Sequence, residues 1–97
     1  MNGRVTIRAR AEADLQRAWQ HYEREQPGLG DDFLRELRPL IHRLERHPER
    51  AAFYYRGFRR LLASRFPYKV FYRILADRVI IFRVLHAKQD HPRRLQP

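Results

Sequence analysis

With 97 residues and no cysteine, the chain has material for one modest core and not for two, and disulfide frameworks and thiolate metal centres are excluded. No apolar run approaches the roughly 20 residues needed to cross a bilayer, and Arg4, Arg8 and Arg10 interrupt the continuous apolar segment of a signal peptide. The expectation is a single soluble domain over residues 1–97, located in the cytoplasm.

The net charge of +10 is unevenly placed. Residues 1–47 hold nine Lys/Arg against eight Asp/Glu, net +1, whereas residues 48–97 hold twelve against three, net +9. So basic a C-terminal half favours a polyanion or an acidic protein partner, approached in a salt-dependent way. Nineteen of the twenty-one cations are arginine, a bias that coding composition alone could produce.

Val5 and Ile7 alternate with Arg4, Thr6 and Arg8, which predicts a short strand at or near a sheet edge. From Ala11 the period lengthens: Ala11, Leu15, Ala18, Trp19 and Tyr22 share one helical face, with Glu12 and Asp14 in the first turns where they suit the helix dipole. Arg8 and Ala9 stand where a capping Ser, Thr or Asp would be preferred. Pro27-Gly28 ends this helix, and Leu29, Phe33, Leu37, Leu40, Ile41 and Leu44 form a second stripe that stops before His47-Pro48. So short a connection predicts an antiparallel helical hairpin. Pro39 removes a backbone donor within the second helix, which predicts a kink or a break at a cost of about 3 kcal/mol.

Residues 51–55 read as an apolar connection along the core, and Gly57 admits a turn before a strand at 58–63. From Tyr68 to Leu75 the residues alternate: Tyr68, Val70, Tyr72 and Ile74 point one way, Lys69, Phe71, Arg73 and Leu75 the other. After Asp77-Arg78 a strand from Val79 to His86 is apolar on both faces except for Arg83, as expected of a nearly buried interior strand. Residues 88–97, polar and with two prolines, read as a loose tail. The order strand-helix-helix-strand-strand-strand describes an α+β domain in which a helical hairpin covers one face of a small antiparallel sheet. The opposite, cationic face is left for solvent or a partner. One of Arg59 and Arg60 must then face the helices, where Asp14 is the expected partner.

Several ordered features carry a resemblance: Ala11-x-x-Asp14-Leu15, Pro27-Gly28-Leu29-Gly30-x-x-Phe33, His47-Pro48, Phe58-Arg59-Arg60, Phe66-Pro67-Tyr68-x-Val70-x-Tyr72 and Val84-Leu85-His86. Together they resemble the RelE/ParE superfamily of bacterial type II toxins, over Ala11 to about Pro92. The resemblance implies a β-α-α-β-β-β fold and a growth-inhibiting toxin held inactive, as a hetero-oligomer, by a cognate acidic antitoxin whose C-terminal segment wraps it. It also implies one of two targets, DNA gyrase in the ParE branch or ribosome-bound mRNA in the RelE branch. No cofactor is implied.

RNA cleavage through the 2′-hydroxyl needs a base, cations for the charge building on phosphorus, and an acid for the leaving oxygen. At the positions matching those of RelE-like nucleases stand Lys69 and Arg83, with Arg60 on the neighbouring strand and Lys88 after the last. No tyrosine follows Tyr72, so His86 or His91 would have to act as tail acid or base. His86, Lys69 and Arg83 are therefore the candidate catalytic set if the protein is an endoribonuclease, against a reading of His86 as a structural histidine bonded to backbone. Arg60, Lys69, Phe71, Arg73, Arg83 and Lys88 are the candidate contacts to antitoxin or target. Phe71 could stack a base or cover the apolar part of an antitoxin. His42 and His47, or His86 and His91, have no paired carboxylate at a metal-binding spacing, so no metal is expected. The long hairpin and the missing tail tyrosine favour the ParE branch. The alternatives are a RelE-like nuclease and a non-toxic basic nucleic-acid-binding module.

Overall fold

The computed structural model describes residues 4–89 and 91–96. In chain order the elements are β1 (Val5–Ile7), α1 (Ala9–Glu25), α2 (Leu29–Arg43), β2 (Phe53–Tyr55), β3 (Phe58–Leu62), β4 (Tyr68–Leu75), β5 (Arg78–His86) and a short α3 (His91–Arg94). They form a five-stranded sheet in the order β1-β5-β4-β3-β2, with α1 and α2 on one face. The α+β hairpin-on-sheet expectation is borne out, with three differences. The apolar connection contains a strand, β2, antiparallel to β3. β1 joins β5 in parallel, so the sheet is mixed. The tail is not loose in its described part: α3 folds, and His91 and Leu95 are buried.

α1 starts without a side-chain cap, as Arg8 and Ala9 foretell. α2 borrows its cap from α1: the Glu23 carboxylate accepts hydrogen bonds from the backbone N–H groups of Gly28 at 3.1 Å, Gly30 at 2.8 Å and Asp31 at 3.3 Å. A negative group there answers both the orphan donors and the positive end of the helix dipole. The two helices approach closely at Gly30, where a Cβ would lie 2.6 Å from the Trp19 carbonyl oxygen. Pro39 neither ends nor interrupts α2. It and Arg35, whose carbonyl loses its donor, both lie on the exposed face, so water can take the freed acceptor.

The principal core joins Ala11, Ala18, Tyr22, Phe33 and Leu37 of the helices to Val70, Tyr72, Val79, Ile81 and Val84 of the sheet. Tyr22, Phe33, Phe66 and Tyr68 meet at ring separations of 4.9–6.1 Å, mostly edge to face. Tyr72 donates its buried hydroxyl to the Pro48 carbonyl at 2.6 Å, anchoring the chain after α2. Trp19 is only half-buried; it lies at the hairpin seam and donates to Asp31 at 2.9 Å. Glu36 of α2 holds the β3–β4 connection, accepting from the Ser64 N–H and hydroxyl and the Arg65 N–H. Burial pushes its carboxyl up, but the bonds from Arg65 and Ser64 outweigh that and hold it below the ordinary glutamate range.

A β-bulge divides β5. Phe71 pairs with Arg83 but Tyr72 pairs with Ile81, leaving Phe82 as the extra residue. Alternation therefore shifts within the strand: Val79, Ile81 and Val84 all reach the helix-side core, and His86 shares its face with Val84 rather than with Ile80 and Phe82. A strict period of two cannot anticipate this.

The Gly30 contact yields a stability prediction. Gly30→Ala should lower unfolding free energy in denaturant titrations by about 1–3 kcal/mol, because the clash is with backbone that cannot swing away. Glu23→Ala should cost about 1–2 kcal/mol by uncapping α2.

Candidate functional site

The sheet face away from the hairpin carries Phe58, Arg60 and Leu62 of β3, Lys69, Phe71 and Arg73 of β4, and Leu85 of β5. It is not an open cationic surface. Phe58, Phe71, Leu85 and Leu95 form a second small core, closed by Tyr54, Tyr55, Phe82 and the C-terminal segment. Phe71 is fully buried, 5.5 Å from the Tyr54 ring and 4.9 Å from that of His91, so it can neither stack a base nor touch a partner directly. The C-terminal segment, through His91 and Leu95, is the cover that the alternation pattern of the strands does not supply.

The arginines of this face lie on aromatic rings. Arg60 stacks over Tyr54 at 4.4 Å, and Arg73 lies over Phe58 at 4.1 Å and near Phe82 at 5.5 Å, while Arg8 covers Phe82 at 4.3 Å. Such stacking holds the cations in place and hides ring surface from water. Arg73 also donates to the Arg56 carbonyl at 2.8 Å. Lys69 is half-buried and Lys88 exposed.

Arg59 is the member of its pair on the hairpin side, opposite Tyr72, but Asp14 is not its partner. It donates to the carbonyls of Glu49 and Ala51 at 3.0 and 2.8 Å and stacks on Phe53. Asp14 binds Arg83 instead. Arg83 Nε meets Asp14 Oδ2 at 2.7 Å and Nη2 meets Oδ1 at 2.9 Å, a two-pronged pair with both residues buried. The same carboxylate accepts from the Val84 N–H at 2.9 Å and from Arg17 at 2.7 Å. β1 ends at Ile7, so the margin of β5 beyond Ile81 lacks a strand there, and α1 supplies Asp14 in its place. Arg83 Nη1 continues to the Arg94 carbonyl at 3.1 Å, binding the C-terminal helix to this junction. Its bonds to Asp14 push the guanidinium pKa up, against burial.

His86 lies beside Tyr68, with ring centroids 5.2 Å apart, in a pocket of about 360 Å³ with Arg17 and His21. Its Nδ1 accepts the Lys88 N–H at 3.0 Å, so the neutral ring keeps its proton on Nε2. Burial, then Lys88, His21 and His91, depress its pKa. His91 donates Nε2–H to the His86 carbonyl at 2.8 Å. Because Tyr68 pairs with His86 and Lys69 with Leu85, His86 and Lys69 lie on opposite faces of the sheet. The three candidate catalytic residues thus do not converge: one on each face, and Arg83 held by Asp14 at the margin.

Beside that junction opens a cleft of about 730 Å³ lined by Arg10, Ala13, Arg17, Arg83, Arg93, Arg94 and Gln96. Arg10 and Arg17 could have been found in the sequence, since with Asp14 they fall at i, i+4 and i+7 of one helical face. Arg93 and Arg94 were hidden by the reading of the tail. Among the described residues no group of three His, Cys, Asp or Glu could hold a metal ion, and no helix is long and apolar enough to cross a membrane.

Asp14→Ala should destabilise the fold by about 3–5 kcal/mol, because Arg83 is left buried without its counterion. Arg83→Lys should also destabilise, since one ammonium cannot reproduce the two-pronged contact with Asp14; chemical denaturation of the two single variants checks this. The depressed His86 pKa has a definite sign. The folded state binds this proton less readily than the unfolded chain does, so the stability is complete above the ordinary histidine pKa of 6.5 and declines as pH falls below it. The thermal midpoint of wild type should drop more between pH 7.5 and 5.5 than that of His86→Gln.

The ParE toxin of type II toxin-antitoxin system, parDE, is the family whose profile matches this sequence, over residues 5–91. No curated protein matches it. Among solved structures, a chain of the chromosomal ParDE TA system from P. aeruginosa superposes with a TM-score of 0.77 at 20% identity, covering 84% of this chain and 92% of that one. The structural likeness establishes the common fold and the profile match the family: this chain belongs to the ParE toxins of type II toxin-antitoxin systems.

Proposed function

We propose that the protein arrests growth by binding DNA gyrase, without chemistry of its own, and that a cognate acidic antitoxin holds it inactive in a cytoplasmic hetero-oligomer. The observation that carries this reading is the separation of the candidate catalytic groups. A phosphodiester positioned for Lys69 would lie across the sheet from His86, and proton transfer needs groups within hydrogen-bond reach of one substrate. The solved relative named for a ParDE system adds support for an antitoxin partner.

In this reading Arg60, Lys69, Arg73 and Lys88 meet the antitoxin or the target. Phe71 supports that surface from beneath and Arg83 anchors its margin. The charge of the C-terminal half suits an acidic partner, and the aromatic stacking of Arg60 and Arg73 lowers the entropy lost when they bind. A RelE-like endoribonuclease is the second reading, favoured by one observation: Arg17, His21, Tyr68 and His86 line a single pocket.

Purified toxin added to gyrase and relaxed plasmid should abolish supercoiling while leaving ribosome-bound message intact. Message cleavage with gyrase unaffected would replace this reading with the nuclease, and Arg17→Ala or His86→Gln should then remove the cleavage. Absence of both, with no growth arrest on expression, would leave the non-toxic nucleic-acid-binding module. For the antitoxin, Lys69→Ala/Lys88→Ala should weaken the complex roughly ten-fold through lost charge contacts while leaving the thermal midpoint unchanged. Unaltered affinity would remove these two lysines from the interface.

A further inference from the structure

We infer that the end of the sheet where the β2–β3 and β4–β5 turns meet the start of β1 binds the phosphodiester backbone of nucleic acid. The strand register brings the three together. Leu75 pairs with Arg78 across one turn, Tyr55 with Phe58 across the other, and Val5 with Val79 at the margin. Arg4, Arg56, Arg73 and Arg78 therefore arrive at one end from separate parts of the chain, none of them in the C-terminal segment. Arg4 Nε donates to the Asp77 carbonyl at 3.2 Å, and a second Arg4 nitrogen, Nη1, to the Glu45 carbonyl at 2.9 Å. Arg73 donates to the Arg56 carbonyl at 2.8 Å and Arg78 to the Thr6 hydroxyl at 3.2 Å. Arg56 rests over the Tyr55 ring at 5.3 Å.

What holds these arginines is neutral. Carbonyls, a hydroxyl and rings orient a guanidinium without cancelling its charge, whereas Asp14 meets Arg83 and Arg17 with a carboxylate. Orientation fixed before binding lowers the entropy lost on binding. The backbone adds a second observation. Arg56 at φ 45° and Gly57 at φ 82° are consecutive left-handed residues, as in a type I′ turn, where Asn or Gly is favoured at both places. Ala76, in the neighbouring turn, has φ 57°. Among the described residues these are the two non-glycine positions with positive φ, and both lie at this end. Local strain of this kind persists where a side chain is needed at that spot, and at the tip of the β2–β3 turn that side chain is an arginine.

The layout selects the class of partner. Neighbouring strands lie about 4.8 Å apart, so across the order β1-β5-β4-β3-β2 the row from Arg4 to Arg56 runs roughly 15 to 20 Å. That is the axial length of about five nucleotides at about 3.4 Å each, and more than a single phosphate can bridge. A peptide partner would add to a strand margin or settle in an apolar groove. A sheet end closed by tight turns offers no strand margin, and Leu75 is its exposed large apolar side chain, too little to seat an amphipathic segment. A sugar-phosphate chain needs only a row of charges and the forked donors that arginine supplies, so the site reads the backbone and not the sequence. It shares Arg73 with the surface assigned to antitoxin or target, but it does not rest on that assignment.

The test is fluorescence anisotropy with a labelled 20-base-pair DNA duplex of arbitrary sequence, without gyrase or antitoxin, across a salt series. Arg56→Asn/Arg78→Ala is compared with Arg24→Ala/Arg35→Ala, which removes the same charge from exposed positions on the hairpin. The sheet-end variant should bind the duplex roughly ten-fold more weakly, and its plot of log affinity against log salt should lose about two units of slope. The hairpin variant should stay near wild type. Arg56→Asn alone, which suits the turn better than arginine does, should melt no lower than wild type and still bind about three-fold more weakly. Equal weakening by the two double variants would reduce the effect to general charge and overturn the proposal. Binding of poly-glutamate as tightly as duplex would assign the sheet end to an acidic peptide and overturn it too. Success here with gyrase unaffected would leave the sheet end standing and remove only the proposed target.

Discussion

One carboxylate holds three parts of this molecule together. Asp14 receives the Arg83 guanidinium, the Val84 N–H and Arg17, and through Arg83 it reaches the Arg94 carbonyl. The first helix, the interior strand and the C-terminal turn thus converge on a single acidic side chain that is almost wholly shielded from water. A buried ion pair stabilises little relative to a well-packed apolar replacement, but it tolerates no partial loss. What it supplies is position. The helix is fixed in register against β5, and the C-terminal segment is fixed over the second small core.

The bulge at Phe82 has an equally wide effect. By inserting one residue it lets Val79, Ile81 and Val84 all contribute to the principal core, while Leu85 serves the other side. Arg83 falls at the turn of this alternation, where its side chain can pass around the strand margin to Asp14. The two faces of the sheet consequently have different chemistry. One is a continuous apolar layer under the hairpin; the other is a small aromatic cluster with arginines laid flat across it.

Much of this was legible from residue patterns. The two helical stripes, the break at Pro27-Gly28, the alternation of Tyr68 to Leu75 and the apolar run before His86 each rest on a local periodicity that the structure keeps. What could not be read depended on contacts distant in sequence. Asp14 was singled out as the carboxylate for a strand arginine, but its partner came from 69 positions away, on a bulged strand whose parity no period reveals. The tail looked loose because His91 and Leu95 are isolated apolar or aromatic positions among charges. Their burial makes sense only once Phe71 and Leu85 are known to need a roof. The arginine cleft was hidden for the same reason, since half of it stands on that tail. Pro39 misled in the opposite direction: its exposed setting lets hydration replace the bond it forfeits.

The shortness of β1 bears on how much of the sheet margin is open to strand addition. A sheet margin with unpaired N–H groups invites a neighbouring copy to add a strand. Here the margin of β5 that β1 leaves uncovered turns one such donor, that of Val84, inward to a side chain of its own chain. At the far side β2 offers just three residues, with an irregular register and Arg56 and Arg59 flanking its turn. Neither flank presents the long flat row of unpaired groups on which a strand from another copy could be laid down.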